Sequence, residues 1–148
     1  MKVVIIDEVP INVALMQALC NRLEGCETLC FHNPTEGLAH CVEHQPDLLV
    51  VGYAMSGIDG IELIRRFRAV PRNFAVPIVM VSAAQEREVR YLALHSGANE
   101  YLTKPIDKNE FLPRIRNLLS IRFYVRQLEE ALEAAHVANP YAAAGTLQ

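Results

Sequence analysis

The chain has 148 residues, 51% hydrophobic and 21% charged, with a formal charge of −3. That is the size and composition of one globular domain with a real core, and it excludes a largely disordered chain. The slight acidity argues against nucleic acid or an anionic membrane as a direct partner. Met1-Lys2 also leads straight into a short apolar run and then two acids, with nothing long enough for export or a bilayer, so a cytoplasmic location is expected.

Val3 to Ile6 is a β-branched run ending at Asp7-Glu8 and reads as a buried strand. Pro10 sits where a first helical turn tolerates proline, and Val13, Leu15, Met16, Leu19 and Leu23 supply the apolar side of a first helix. A short strand is expected around Glu27 to Phe31. Asn33-Pro34-Thr35-Glu36 then supplies a cap, a first-turn proline and a closing glutamate for a helix running to about His44. Cys20, Cys26, Cys30 and Cys41 are expected as free thiols in a reducing compartment. Cys26 and Cys30, expected four apart in one strand, would share a face but sit roughly 13 Å from each other, beyond disulfide reach.

Pro46-Asp47 opens a third strand, Leu48 to Val51, apolar throughout. Ser56-Gly57-Ile58-Asp59-Gly60 reads as a loop and Ile61 to Arg68 as a helix. Pro77 leads into a fourth strand, Ile78 to Val81, ending at Ser82. A helix over about Gln85 to His95 stops at Ser96-Gly97. The fifth strand, Glu100 to Leu102, ends at Thr103-Lys104-Pro105, and Asp107 with Glu110 reads as a second capping box. Short apolar strands alternating with helices call for an α/β fold, a doubly wound parallel sheet covered on both faces, whose strand order patterning alone leaves open.

The last helix has the pattern to outlast the domain. Leu118, Val125 and Leu132 are seven apart, as are Ile121, Leu128 and Ala135, and the two sets interleave with coiled-coil spacing over fewer than three heptads. Two readings stay open, one long helix packed on its own domain or a signalling and dimerising extension over 123–138. Residues 139–148 are small and featureless, as in a frayed tail or a linker remnant.

Polar residues gather at the strands' C-terminal ends: Asp7 and Glu8, Ser82 and Lys104. In a doubly wound sheet they meet in one crevice, where two acids, a hydroxyl and an ammonium suit a divalent cation and a phosphoryl group. Strand three ends in the middle of the group, at Val51-Gly52-Tyr53, and offers no reactive side chain. Each feature has a plainer reading: acids after a strand also solvate an edge, and Tyr101 also serves as a packing residue. His40 and His44 lack a completing ligand, since Cys41 points elsewhere. Gly57 and Gly60 form no phosphate-binding glycine series.

Four stretches together carry a specific resemblance: Val3 to Glu8, Pro46 to Gly60, Val79 to Ala83, and Gly97 to Pro105. Over residues 1–122 the chain resembles the receiver domain of two-component response regulators, the CheY-like family. The resemblance implies a flavodoxin-like three-layer sandwich with strand order 2-1-3-4-5 and an extended C-terminal helix. It implies Asp7, Glu8 and the backbone carbonyl of Ala54 as Mg²⁺ ligands, Ser82 and Lys104 as phosphoryl-site residues, Ser82 and Tyr101 as the switch pair, and a cis bond before Pro105. It further implies a histidine kinase or other signalling protein as partner. A homodimer through the fourth helix, fifth strand and fifth helix, or through the C-terminal helix, is implied too, with an output domain outside this chain.

The departure is at the phosphoacceptor position, which is Gly52. Glycine supplies neither nucleophile nor metal ligand, so the expectation is a degenerate receiver that is not an enzyme, acts through protein contacts and binds Mg²⁺ weakly. Ser56 replaces a loop proline. Without its usual partner, Lys104 is expected to turn toward Asp7 or Glu8. The alternatives are an otherwise normal phosphoreceiver whose aspartate has been replaced and, least favoured, a small phosphoryl-handling enzyme.

Overall fold

Runs of β-branched and aliphatic residues too short for helices become strands: Lys2–Ile6 (β1), Glu27–Phe31 (β2), Leu48–Gly52 (β3), Ile78–Ser82 (β4) and Glu100–Thr103 (β5). The helices between them are Pro10–Cys20 (α1), Pro34–Glu43 (α2), Gly60–Arg68 (α3), Arg87–Ser96 (α4) and Lys108–Ala138 (α5), with a 3-10 turn at Pro71–Asn73. The computed structural model describes residues 1–138. The tail expected at 139–148 lies outside the described residues.

All pairings are parallel, and the order is β2-β1-β3-β4-β5. Central β3 is buried at every position. Because side chains alternate across a strand, each strand feeds two cores. Val4, Ile6, Leu49, Val51, Ile78 and Met80 face α2, α3 and α4. Val3, Ile5, Leu48, Val50, Val79 and Val81 face α1 and α5.

The elements match the sequence reading with local corrections. Helix α1 ends at Cys20, so Leu23 packs from the following turn, and Leu15 is 42% exposed where an apolar core position was expected. Asn33 does cap α2, its side chain accepting the Glu36 N–H at 3.1 Å. Asp59 caps α3 in the same way, through the Glu62 N–H at 2.9 Å. The second capping box is not formed as read: the Asp107 carboxylate accepts the Asn109 N–H at 2.9 Å. Cys26 precedes β2 rather than lying in it.

The C-terminal helix is one continuous element of 31 residues despite Pro113. Phe111, Ile115, Leu119 and Arg122 face the domain and are buried. Ile121, Leu128 and Leu132 are 60%, 65% and 70% exposed, and residues 131–137 are all exposed. Among the described residues, no helix is long and apolar enough to cross a membrane.

One close approach fixes the loop between β3 and α3. The Gly60 N–H donates to the Tyr53 carbonyl at 2.8 Å, and a Cβ at Gly60 would fall far inside contact with the Gly52 carbonyl oxygen. A G60A variant is therefore expected to lose about 2 kcal/mol or more in urea unfolding, because the obstacle is backbone and has no rotamer to change. A second expectation concerns pH. Burial pushes the Cys20 and Cys41 thiols up from 9.0 to about 12. The fold favours the protonated thiols, so their contribution is complete below pH 9 and is lost as pH rises toward 12. Denaturation midpoints measured from pH 8 to 11 are expected to fall across that interval, and less so in a C20A/C41A variant compared with its own value at pH 8.

Candidate functional site

Parallel strands bring their C-terminal ends to one edge, and the polar residues that interrupt the apolar runs collect there. Asp7 leaves β1 with its N–H on the Phe31 carbonyl at 3.1 Å and is only 1% exposed. Its Oδ1 accepts the Val9 N–H at 2.9 Å, and its Oδ2 accepts from Lys104 Nζ at 2.7 Å. The Lys104 side chain is 18% exposed, so this ion pair is largely shielded from water.

Gly52 ends β3 directly beside that pair. A Cβ built there would stand 2.7 Å from Asp7 Oδ2, so the carboxylate occupies space a side chain at this position would need. Glu8 turns instead to the loop after β3, where its carboxylate accepts from the Ser56 N–H and, at 3.2 Å, from the Ser56 hydroxyl. This use of Ser56 was not legible in the sequence, where the residue stood out only as a loop substitution.

The opposite wall is made by β4 and β5. Ser82 is buried at 3% exposure, and its hydroxyl accepts the Ala84 N–H at 3.0 Å. The Lys104 N–H donates to the Ser82 carbonyl at 2.8 Å, tying the ends of the two strands together. Tyr101 is packed inward at 6% exposure, its hydroxyl donating to the Ala84 carbonyl at 2.6 Å, with the Arg90 guanidinium 5.9 Å from its ring centroid. The Lys104-Pro105 bond is cis. Ala54 lies two residues past β3 and is exposed.

Asp7, Gly52, Ser82 and Lys104 thus converge, Tyr101 reaches them through Ala84, and Glu8 stands at the rim. The histidines do not join them. His40 on α2 stacks at 4.9 Å on His44, the residue that follows the helix, Phe31 lies 5.2 Å from His40, and Cys41 is buried in the core. Among the described residues, no group of three or more histidine, cysteine or acidic side chains is placed to hold a metal ion.

A search against family models matches residues 3–116 to the response regulator receiver domain. The chain belongs to that family. Receiver domains are signalling modules that interact with histidine kinases and other signalling proteins, and they are generally not enzymes. This receiver is 36% identical over 92 residues to the cyclic di-GMP phosphodiesterase response regulator RpfG of Xanthomonas campestris pv. campestris, covering 62% of this chain and 24% of that protein. It is 33% identical over 113 residues to the phosphate regulon transcriptional regulatory protein PhoB of Pseudomonas aeruginosa, covering 76% of this chain and 48% of that one. The chain therefore spans about a quarter of the first relative and about half of the second. The Francisella response regulator 1452 receiver domain superposes with a TM-score of 0.72 at 26% identity, covering 80% of this chain and 96% of that structure. A CheY-like receiver domain from Methanospirillum hungatei JF-1 shares the fold with a TM-score of 0.75 at 20% identity, covering 83% and 96%.

Receiver domains typically bind Mg²⁺ at their acidic pocket. The donors present here fit that ion poorly. Magnesium needs near-octahedral oxygen coordination with anionic ligands. Here Gly52 brings no oxygen on a side chain, Asp7 Oδ2 is engaged by an ammonium, and the Glu8 carboxylate is held by Ser56.

Removing Lys104 leaves the Asp7 carboxylate buried without its cation. A K104M variant is expected to lose about 3 kcal/mol in chemical denaturation, and a D7N/K104M double variant markedly less than the sum of the two single changes, because breaking a buried pair costs more than replacing it.

Proposed function

We propose that this chain is a degenerate receiver domain of two-component phosphorelay signalling that acts through protein–protein contacts and is not competent for normal aspartyl phosphorylation. The observation that carries the reading is at Gly52. By position in the family this is the phosphoacceptor. Here it has no carboxylate, and the space beside it is taken by an Asp7 already paired with Lys104. A phosphoryl group needs a nucleophile, and the nearest carboxylate is neutralised and shielded.

In this reading Ser82 and Lys104 are remnants of the phosphoryl site. Asp7, Glu8 and the Ala54 carbonyl are the corresponding metal ligands, holding Mg²⁺ only weakly. Ser82 and Tyr101 form the switch pair, and the inward Tyr101 fixes the β4–α4 loop through Ala84. A histidine kinase or another signalling protein is the partner, in the cytoplasm, with no direct contact to nucleic acid or membrane. The relatives that match here carry names as different as a cyclic di-GMP phosphodiesterase and a transcriptional regulator, so the output belongs to a further domain. The receiver itself occupies 1–122, and residues 123–138 form the extension toward that output.

A homodimer is part of the proposal, through the α4–β5–α5 face or the exposed stripe on α5. Among the described residues, the stripe of Ile121, Leu128 and Leu132 has no cover. If it is the contact, L128D should shift the sedimentation profile toward monomer at micromolar concentration without lowering the thermal midpoint.

A second reading has its own support. Asp7, Glu8, Ser82 and Lys104 all remain around Gly52, as they would in a phosphoreceiver that lost only its aspartate. The two are separated by incubating the chain with Mg²⁺ and acetyl phosphate and recording intact mass. No gain of phosphoryl mass is expected for the chain as it stands, beside a receiver that gains it as control. An alkali-labile, stoichiometric gain would overturn the degenerate reading. A gain in G52D alone would favour the second reading, whereas an inert G52D would mean that the pocket has rebuilt itself around Asp7 and Lys104.

A further inference from the structure

The opposite pole of the sheet, where the strands begin, carries a second polar network. Asp47 is 5% exposed at the entry to β3. Its Oδ2 accepts the Lys2 N–H at 2.7 Å, and its own N–H donates to the Lys2 carbonyl at 2.8 Å, pinning β1 to the start of β3. Its Oδ1 turns to α5 and accepts from Arg126 Nη1 at 2.9 Å, while Arg122 Nε stands 3.9 Å away.

Arg122 is the unusual member, a guanidinium only 3% exposed. Its Nη2 donates to Gln45 Oε1 at 3.2 Å, and its Nη1 faces Glu129 Oε1 at 3.8 Å. Neither Nε nor Nη1 has a hydrogen-bond acceptor among the described residues. A buried guanidinium is costly unless its donors close on something. Here it hangs between two carboxylates, each within ion-pair range and just beyond hydrogen-bonding distance, so a small displacement closes it on one or the other.

The two closures differ in kind. A bond to Asp47 joins α5 to the domain, whereas a bond to Glu129, seven residues on, lies wholly within α5. Gln45 extends the network further, its Nε2 donating to the Arg72 carbonyl at 2.7 Å. Arg68 Nη1 donates to the adjacent Asn73 carbonyl at 2.6 Å, and Arg68 Nη2 to the Gly97 carbonyl at 2.8 Å. Polar contacts therefore run from the end of α4, through Arg68, the 3-10 turn and Gln45, to Arg122.

We propose that Arg122 is a latch at the base of the domain, exchanging between Asp47 and Glu129, that sets how firmly the α5 extension is held to the domain. Gln45 gives the α3–α4 side a hold on it. The latch rests on reading α5 as the element that carries output, and it requires no phosphoryl group.

Hydrogen exchange of the full chain, read by mass spectrometry without a phosphodonor, tests it. R122M keeps the length and apolar stem of the side chain, and it is expected to quicken amide exchange over residues 119–130 by roughly tenfold while residues 108–116 and the strands are unchanged. E129Q should act in the opposite direction, slowing exchange over 119–126, because the guanidinium then closes on Asp47. The Glu129 side chain is 53% exposed, so this variant is expected to fold normally. The proposal is overturned if E129Q leaves exchange unchanged or quickens it, or if R122M raises exchange evenly through the domain, as a purely structural arginine would. Failure of the latch would leave the mass-spectrometric test of phosphorylation untouched, and a phosphorylated chain would leave the exchange result standing.

Discussion

A parallel sheet buried on both faces has only its two ends at which to keep polar side chains, and the architecture of this chain follows from that constraint. Every residue of β3 and β4 is buried, and alternate residues serve opposite cores. Charge is therefore driven to the poles. Asp7, Ser82 and Lys104 gather where the strands end; Lys2, Asp47 and Arg122 gather where they begin. Each pole keeps a nearly buried carboxylate, Asp7 or Asp47, opposite a cation brought by a later element.

The upper pole shows how charged groups settle around a strand end that has no side chain. With Gly52 at the end of β3, the crevice does not remain an open cluster of like and unlike charges. Lys104 closes on Asp7, Glu8 swings to Ser56, and Ser82 caps the following backbone turn. Each polar group finds an internal partner, as burial demands. The result is a self-neutralised pocket, with the inward Tyr101 held against the same turn. A side chain that brings charge to position 52 must first displace a carboxylate that already has two bonds.

Much of this was legible in the sequence, for physical reasons. The apolar runs, the proline-led helices and the Asn33 cap are local signals that tertiary packing reinforced. Convergence of Asp7, Ser82 and Lys104 follows from parallel topology, and the turn of Lys104 toward an acid follows from the cost of an unpaired ammonium. What escaped depended on direction rather than type. Leu15 is apolar yet faces solvent, because Val13, Met16 and Leu19 already fill the contact with the sheet. Asp107 bonds to Asn109 because α5 begins a turn geometry that periodicity cannot specify. Arg122 was not singled out by the sequence, where nothing distinguishes it from the other arginines of this helix, and only the packing of α5 shows that it points inward. Pro113 removes one intrahelical donor, but it lies in the first two turns, where the packed Phe111 and Ile115 keep the helix running.

That unbroken helix has a mechanical consequence. From Arg122 to Ala138 it extends about 24 Å at 1.5 Å per residue, with no glycine or proline in that stretch to absorb a bend. Such a segment behaves as a stiff pointer with its pivot at the base of the sheet. A tilt of about 10° at the pivot would sweep its far end through about 4 Å, roughly three-quarters of a helical pitch. Sub-ångström adjustments around one guanidinium are in this way geared up to the scale at which neighbouring protein surfaces change register.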